Sequence, residues 1–280
     1  MKIRWFASAA IVLLAGWAGL AQGAVLLNDS FSDGERSTQD LPTSAQWYSA
    51  RATADANVTG GALRFSNFSN NRAGALAYLT SSGSYVDMVV GDTLALSFSY
   101  RYGANVDSEG GLYFGFYNSG GTRVSADNHD FNSPTFANDV GYVGAGIFDE
   151  DPSSRYRIRD RTNGVNNMAS VTPMPALNST AQTGASEVDT WYQASLSLSL
   201  LAPNQMRITS VLDGQTLVAT DNVWVASSFD QILIMVGQKP IGYLDIDNVL
   251  VTHTNMIPEP ASVGLILLGA IALRMTRRRR

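Results

Sequence analysis

Thr93-Leu94-Ala95-Leu96-Ser97-Phe98-Ser99-Tyr100-Arg101-Tyr102 alternates without a break. Leu94, Leu96, Phe98, Tyr100 and Tyr102 share one side, and small or polar residues share the other. Successive side chains of an extended chain point to opposite faces, so this period of two predicts a β-strand with one buried face. Working outward, Trp191–Leu200 repeats the pattern, with Tyr192, Ala194, Leu196, Leu198 and Leu200 opposite Gln193, Ser195, Ser197 and Ser199. Shorter strands are expected at Val25–Leu27, Trp47–Arg51, Ala62–Ser66, Ala75–Thr80, Gly111–Asn118, Val140–Phe148, Arg155–Asp160, Met206–Leu212, Thr216–Thr220, Gln231–Val236 and Ile241–Val251. Asp213-Gly214 between two runs signals a tight hairpin. Gly60-Gly61, Gly110-Gly111 and Gly120-Gly121 mark further joints. About a dozen strands, each with one apolar face, need a second sheet to cover that face. The expectation is an all-β fold, a β-sandwich of the jelly-roll type. Two long polar loops are expected, at Ser119–Asn138 and Arg161–Asp189.

The two ends of the chain read differently. Lys2 and Arg4 precede an uncharged apolar run, Trp5–Leu20, followed by small residues at Ala21-Gln22-Gly23. This is the pattern of a secretory signal peptide, residues 1–23. At the other end, residues 257–280 carry Pro258-Glu259-Pro260, an apolar run Ala261–Leu273, and a basic close at Arg274 and Arg277, Arg278, Arg279 and Arg280. The prolines bias the chain away from helix until Pro260 is passed. The apolar run is about 13 residues, roughly 20 Å as a helix. That is shorter than the roughly 20 residues that span hydrocarbon unaided. Arginine snorkelling and bilayer thinning could cover part of the gap. The basic close is expected to stay cytoplasmic, leaving the preceding chain outside.

The tripartite tail resembles the PEP-CTERM sorting signal. The resemblance rests on Pro258, Glu259 and Pro260, the apolar helix containing Gly264 and Gly269, and the arginine cluster. It implies a transmembrane sorting helix and a membrane-embedded processing enzyme of the exosortase type as a partner, cutting near the Pro-Glu-Pro. It also implies export to the outer envelope or extracellular matrix of a bacterium that makes exopolysaccharide. A plain C-terminal membrane anchor is the other reading of the same residues.

Between the ends lies one expected domain, residues 24–256. Of 19 basic residues, Lys2, Arg4, Arg274 and the four terminal arginines lie in the end segments, whereas of 24 acidic residues only Glu259 does, so the body carries a net charge of about −11. Nucleic acid is excluded as a partner on that balance. An anionic polysaccharide would need a local basic patch. The chain has no cysteine, which removes thiol nucleophiles, zinc–cysteine sites and disulfides. His129 and His253 are its only histidines, too few for a histidine-rich metal site.

A second resemblance concerns the body. Asn28-Asp29-Ser30-Phe31-Ser32-Asp33-Gly34 with Trp47-Tyr48 at its start, and Tyr243-Leu244-Asp245-Ile246-Asp247-Asn248-Val249 at its end, resemble the two ends of concanavalin A-like and carbohydrate-binding jelly rolls. It implies that the first and last strands pair, and that calcium could sit where the termini meet.

Four candidate sites follow. Asp29, Asp33, Asp245 and Asp247 could supply hard oxygens to calcium; alternatively, Asp33-Gly34 is a turn and Asp247 bonds loop amides. Arg155, Arg157, Arg159 and Arg161 alternate along one strand and would put four guanidinium groups on one face, suited to carboxylate or sulfate, or paired with Asp149, Glu150 and Asp151. Trp47, Tyr48, Trp191, Tyr192, Trp224, Tyr113 and Tyr117 could stack on sugar rings, or form core. For catalysis, a retaining glycosidase needs two carboxylates about 5 Å apart. The Glu-x-Asp-x-x-Glu strand of laminarinase-like sandwiches is absent from this sequence, as is a Gly-x-Ser-x-Gly elbow. The sequence therefore predicts a non-catalytic, exported structural or adhesive protein of the outer envelope or extracellular matrix that could bind extracellular polysaccharide, with a carbohydrate-active enzyme (glycosidase or polysaccharide lyase) as the alternative.

Overall fold

A computed structural model describes residues 23–50, 56–66, 73–103, 111–128, 131, 133–147, 155–162, 168, 175–181, 187–223, 225–237 and 242–255. The expected signal peptide, the sorting tail with Pro258, Glu259, Pro260 and Arg277 to Arg280, and His129 and Trp224 lie outside them. Among the described residues no helix is long and apolar enough to cross a membrane.

Among the described residues seventeen strands follow in order: β1 (Ala24–Asp29), β2 (Trp47–Ser49), β3 (Ala56–Thr59), β4 (Ala62–Ser66), β5 (Ala73–Tyr78), β6 (Val86–Asp87), β7 (Thr93–Gly103), β8 (Gly111–Asn118), β9 (Val140–Ile147), β10 (Arg155–Arg161), β11 (Ala176–Ala181), β12 (Tyr192–Ala202), β13 (Gln205–Leu212), β14 (Gln215–Asp221), β15 (Ser228–Phe229), β16 (Gln231–Val236) and β17 (Tyr243–Thr254). An eight-stranded antiparallel sheet runs β14-β13-β12-β7-β17-β4-β3, with β1 also on β17. A seven-stranded antiparallel sheet runs β11-β10-β9-β8-β16-β5-β2, and β6 pairs with β15. The chain passes repeatedly from one sheet to the other, as jelly rolls do.

The alternation that predicts β7 also sets the core. Leu94, Leu96, Phe98, Tyr100 and Tyr102 are all buried, and so are Leu112, Phe114 and Phe116 of β8 in the facing sheet. Phe98 meets Phe114 edge-on, ring centroids 5.4 Å apart, the arrangement the aromatic quadrupole favours. Two tyrosines whose rings lie in this core satisfy their hydroxyls across it: Tyr142 donates to Asp221 at 2.8 Å and Tyr156 to Ser210 at 2.6 Å. Such bonds remove the cost of burying a phenol.

The terminal strands pair, from Ala24 opposite His253 to Asp29 opposite Val249, as the resemblance to lectin-like ends implies. Asp213 and Gly214 both adopt positive φ, 50° and 76°, the backbone a two-residue hairpin requires between Leu212 and Gln215. β3, β6, β11 and β15 were not expected. β11 falls inside the predicted loop Arg161–Asp189, because Ala-Leu-Asn-Ser-Thr-Ala is polar and sits at a sheet edge where no burial imposes alternation. Its edge lies near that of β14: Asn178 Nδ2 donates to the Val218 carbonyl at 2.6 Å and Gln215 Nε2 to the Ala181 carbonyl at 2.8 Å. The other predicted loop, Ser119–Asn138, folds back onto the seven-stranded sheet. Val124, Phe131 and Phe136 pack there with Leu76, Tyr78, Tyr117, Leu233 and Met235, and a 3₁₀ turn, Pro134–Phe136, begins with Ser133 as its cap.

Candidate functional site

Period two places Tyr48, Tyr113, Tyr117, Arg157 and Arg159 on the outer face of the seven-stranded sheet. The ladder register lines them up. One row reads Tyr48, Leu76, Leu233, Gly115, Val143, Arg159, and a neighbouring row reads Met235, Tyr113, Ala145, Arg157. Trp47, one residue from Tyr48, points the other way. It is buried against Phe31 and its indole Nε1 donates to Asp29 Oδ2 at 2.9 Å. Its ring is core and has no free face for a sugar, which corrects that expectation.

The Ser119–Asn138 loop covers the middle of this face. Tyr117 is fully buried beneath it and donates to the Met168 carbonyl at 2.7 Å. Burial pushes the phenol's pKa up. Arg159 and Arg161 are buried, and desolvation lowers the pKa of both. Arg161 donates to the carbonyls of Phe136 and Asp139 and so ties the loop down. The arginine ladder is therefore neither an open anion site nor a solvated face over this half of its length. Arg157 is half-buried, in one row with the equally half-buried Tyr113; the Arg155 side chain and Asp149, Glu150 and Asp151 lie outside what the structure describes. Asp139 Oδ2 accepts from Gln231 Nε2 at 2.5 Å, and desolvation raises the Asp139 pKa to about 7.

The cover stops at the edge strand β2, and there the sheet is open. Tyr48 remains partly exposed, its ring tilted against Tyr78 with centroids 5.7 Å apart and its hydroxyl donating to Gln46 Oε1 at 2.8 Å. On one side of Tyr48 is a cleft of about 560 Å³ lined by Gln39, Gln46, Tyr78, Thr80 and Arg123. On the other is a cleft of about 410 Å³ lined by Glu35, Arg36, Trp47, Asn57 and Asp127. Both walls are fixed. Arg123 lies over the Tyr78 ring at 4.5 Å, holds Asp230 Oδ2 and donates to the Thr80 carbonyl at 2.7 Å. Tyr78 OH accepts from the Val124 amide at 2.7 Å. Arg36 makes a two-pronged pair with Asp127, 2.6 Å at its shorter arm, and also donates to the backbone carbonyls of Trp47 and Ala56. Desolvation raises the Tyr48 pKa, so the ring meets a ligand as a neutral phenol.

The structure does not gather the four calcium-candidate aspartates, and among the described residues no three acidic or histidine side chains group to hold a metal. Asp29 is buried and accepts from the amides of Phe31 and Ala45 and from Trp47. Asp33 accepts from the Glu35 amide at 3.1 Å, the turn reading. Asp247 accepts from the Asn248 amide and side chain. Asp245, fully buried, lies between Arg64 (2.6 Å) and Arg101 (2.7 Å). Guanidinium donors occupy its oxygens, which is the physical reason it is not a calcium ligand. His253 Nε2 lies 3.0 Å from Asp92. Of the other aromatic candidates, Tyr192 is half-buried against the core, and Trp191 is 41% exposed and carries Arg101 over its ring at 4.7 Å.

Sequence reading missed Gln39, Gln46, Tyr78, Arg123, Arg36 and Asp127. Only Tyr78 carried a signal, as an aromatic in an apolar run. The others are loop residues brought to Tyr48 by long-range folding.

No family model and no curated protein matches the chain. Its fold is similar to those of solved structures. The carbohydrate recognition domain of Emp46p in a potassium-bound form is 10% identical, with 76% of this chain and 89% of that one covered and a TM-score of 0.52. The carbohydrate recognition domain of Emp47p is 13% identical, covering 80% of this chain and 94% of that one, TM-score 0.50. An alginate lyase, Aly36B, in complex with an alginate trisaccharide is 15% identical over 80% of this chain and 96% of that one, TM-score 0.47. At these identities the likeness concerns the fold alone, a β-sandwich of two antiparallel sheets.

Proposed function

We propose that this chain is exported, handed by its PEP-CTERM tail to an exosortase-type enzyme at the inner membrane, and released to the outer envelope or extracellular matrix, where its sandwich binds polysaccharide without cleaving it. The observation that carries the binding reading is the Tyr48 ring, partly exposed at the junction of two clefts walled by amides, hydroxyls and guanidinium groups. A flat apolar ring flanked by hydrogen-bonding side chains suits a pyranose, which has apolar faces and a polar rim. Two carbohydrate recognition domains share the fold, and the same class of ligand is carried to this chain on the strength of the cleft.

The non-catalytic reading rests on the acids of the same clefts. Asp127 is held in its pair with Arg36, and the Ser37 hydroxyl bonded to Glu35 keeps that carboxyl below its usual range. A glycosidase acid needs the opposite shift. The sorting reading rests on the order Pro258-Glu259-Pro260, apolar run, arginine cluster.

Glycan-array binding by the purified protein tests the body: Tyr48→Ala should weaken capture by about tenfold while the protein still unfolds in one cooperative transition. Release of reducing ends or unsaturated sugars from a polysaccharide panel would overturn the non-catalytic part. Intact mass of envelope protein tests the tail, and persistence of residues beyond Pro260 would overturn processing.

A further inference from the structure

On the outer face of the eight-stranded sheet, neighbouring strands set Asn57, Arg64, Asp245 and Arg101 in one row, and Trp191, just before β12, packs on Arg101. Arg64 lies over the Tyr243 ring at 4.1 Å. That ring in turn packs against Gly103, where an added Cβ would come within 2.0 Å of it. Asp245 neutralises one of the two guanidinium charges. Its bonds use Nε and Nη2 of both arginines, and among the described residues neither Nη1 has a hydrogen-bond acceptor. Arg64 and Arg101 side chains are 31% and 28% exposed.

Asn57 belongs to this row and also lines the smaller cleft beside Tyr48. The cleft and the row are therefore continuous around the β2–β3 edge of the sandwich. Four strand spacings separate β3 from β12, so the row adds about 19 Å beyond the cleft.

We propose that the binding tract does not end at Tyr48 but continues over this edge to Trp191, so that the protein grips an internal stretch of a long polysaccharide rather than a chain end. The inference rests on the proposed glycan-binding cleft and extends it. Arg64 and Arg101 donate Nη1 hydrogen bonds to sugar oxygens, and Trp191, stiffened by the guanidinium on its ring, stacks on a distal pyranose.

The test is chain length. A series from disaccharides to decasaccharides, cut from the polysaccharide that the array identifies, is titrated against full-length wild type, Trp191→Ala, Trp191→Phe and Tyr48→Ala. The expected result is that wild-type affinity rises with length. Trp191→Ala should lose about tenfold for the longest members and nothing for the shortest, with Trp191→Phe largely restoring it. Tyr48→Ala should weaken every length. Equal affinity of Trp191→Ala and wild type across the series, with Tyr48→Ala still impaired, overturns the tract and leaves the cleft. Indifference of every length to Tyr48→Ala overturns the cleft itself. An array with no binding at all overturns both.

Discussion

Trp47 Nε1 donates to Asp29 Oδ2 at 2.9 Å, fastening the edge strand β2 of one sheet to the first strand of the other. The same carboxylate takes the amides of Phe31 and Ala45, so three buried donors depend on one side chain. Asp29→Ala strands all three and should cost about 3 kcal/mol, read as a lower urea midpoint at constant m-value. Because N–H groups already fill Asp29 and Asp245, adding or chelating calcium should leave the melting temperature of dialysed protein unchanged.

The Arg64–Asp245–Arg101 group predicts an asymmetry. Asp245 is fully buried, whereas both arginines reach solvent. Replacing both arginines by alanine leaves an uncompensated buried charge and should cost about 3–5 kcal/mol. Asp245→Asn leaves two solvated cations and should cost only about 1–2 kcal/mol. Chemical denaturation of the two variants decides it; equal losses would contradict the argument.

Asp139 makes stability depend on pH. Its pKa rises from 3.8 to about 7 on folding, because burial disfavours the carboxylate. Between those values the folded chain keeps a proton that the unfolded chain has lost, so the destabilisation due to Asp139 is absent below about pH 4 and grows as pH rises to about 7. Melting curves at pH 4.5 and 8 should show this drop. Asp139→Asn, which stays neutral, should flatten this part of the profile and make the variant the more stable of the two at pH 8.

Gly103→Ala should displace the Tyr243 ring and break its stacking on Arg64, costing about 1–3 kcal/mol. A matching Tyr243→Ala change should relieve the clash, so the double variant should be more stable than the sum of the two single losses predicts.

Much of the fold was legible because alternation is a local property. Leu94 to Tyr102, and Asp213-Gly214, need no distant partner to declare a strand and a turn. β11 was not legible, since an exposed edge strand buries nothing that would force a pattern. The site was legible by face but not by side. Trp47 and Tyr48 had to point in opposite directions, yet which one faced the core was decided by Asp29, eighteen residues earlier. Tyr117 and Arg159 fell on the right face and were then buried by a loop whose apolar anchors, Val124, Phe131 and Phe136, stand singly among polar residues. Asp245 looked like a cation ligand because its guanidinium partners lie 181 and 144 residues away.

The amides of Asn178 and Gln215 cap carbonyls where the rims of the two layers meet at β11 and β14. Backbone groups so occupied cannot template a neighbouring molecule. Edge-to-edge pairing of two copies through this corner of the sandwich is thereby disfavoured.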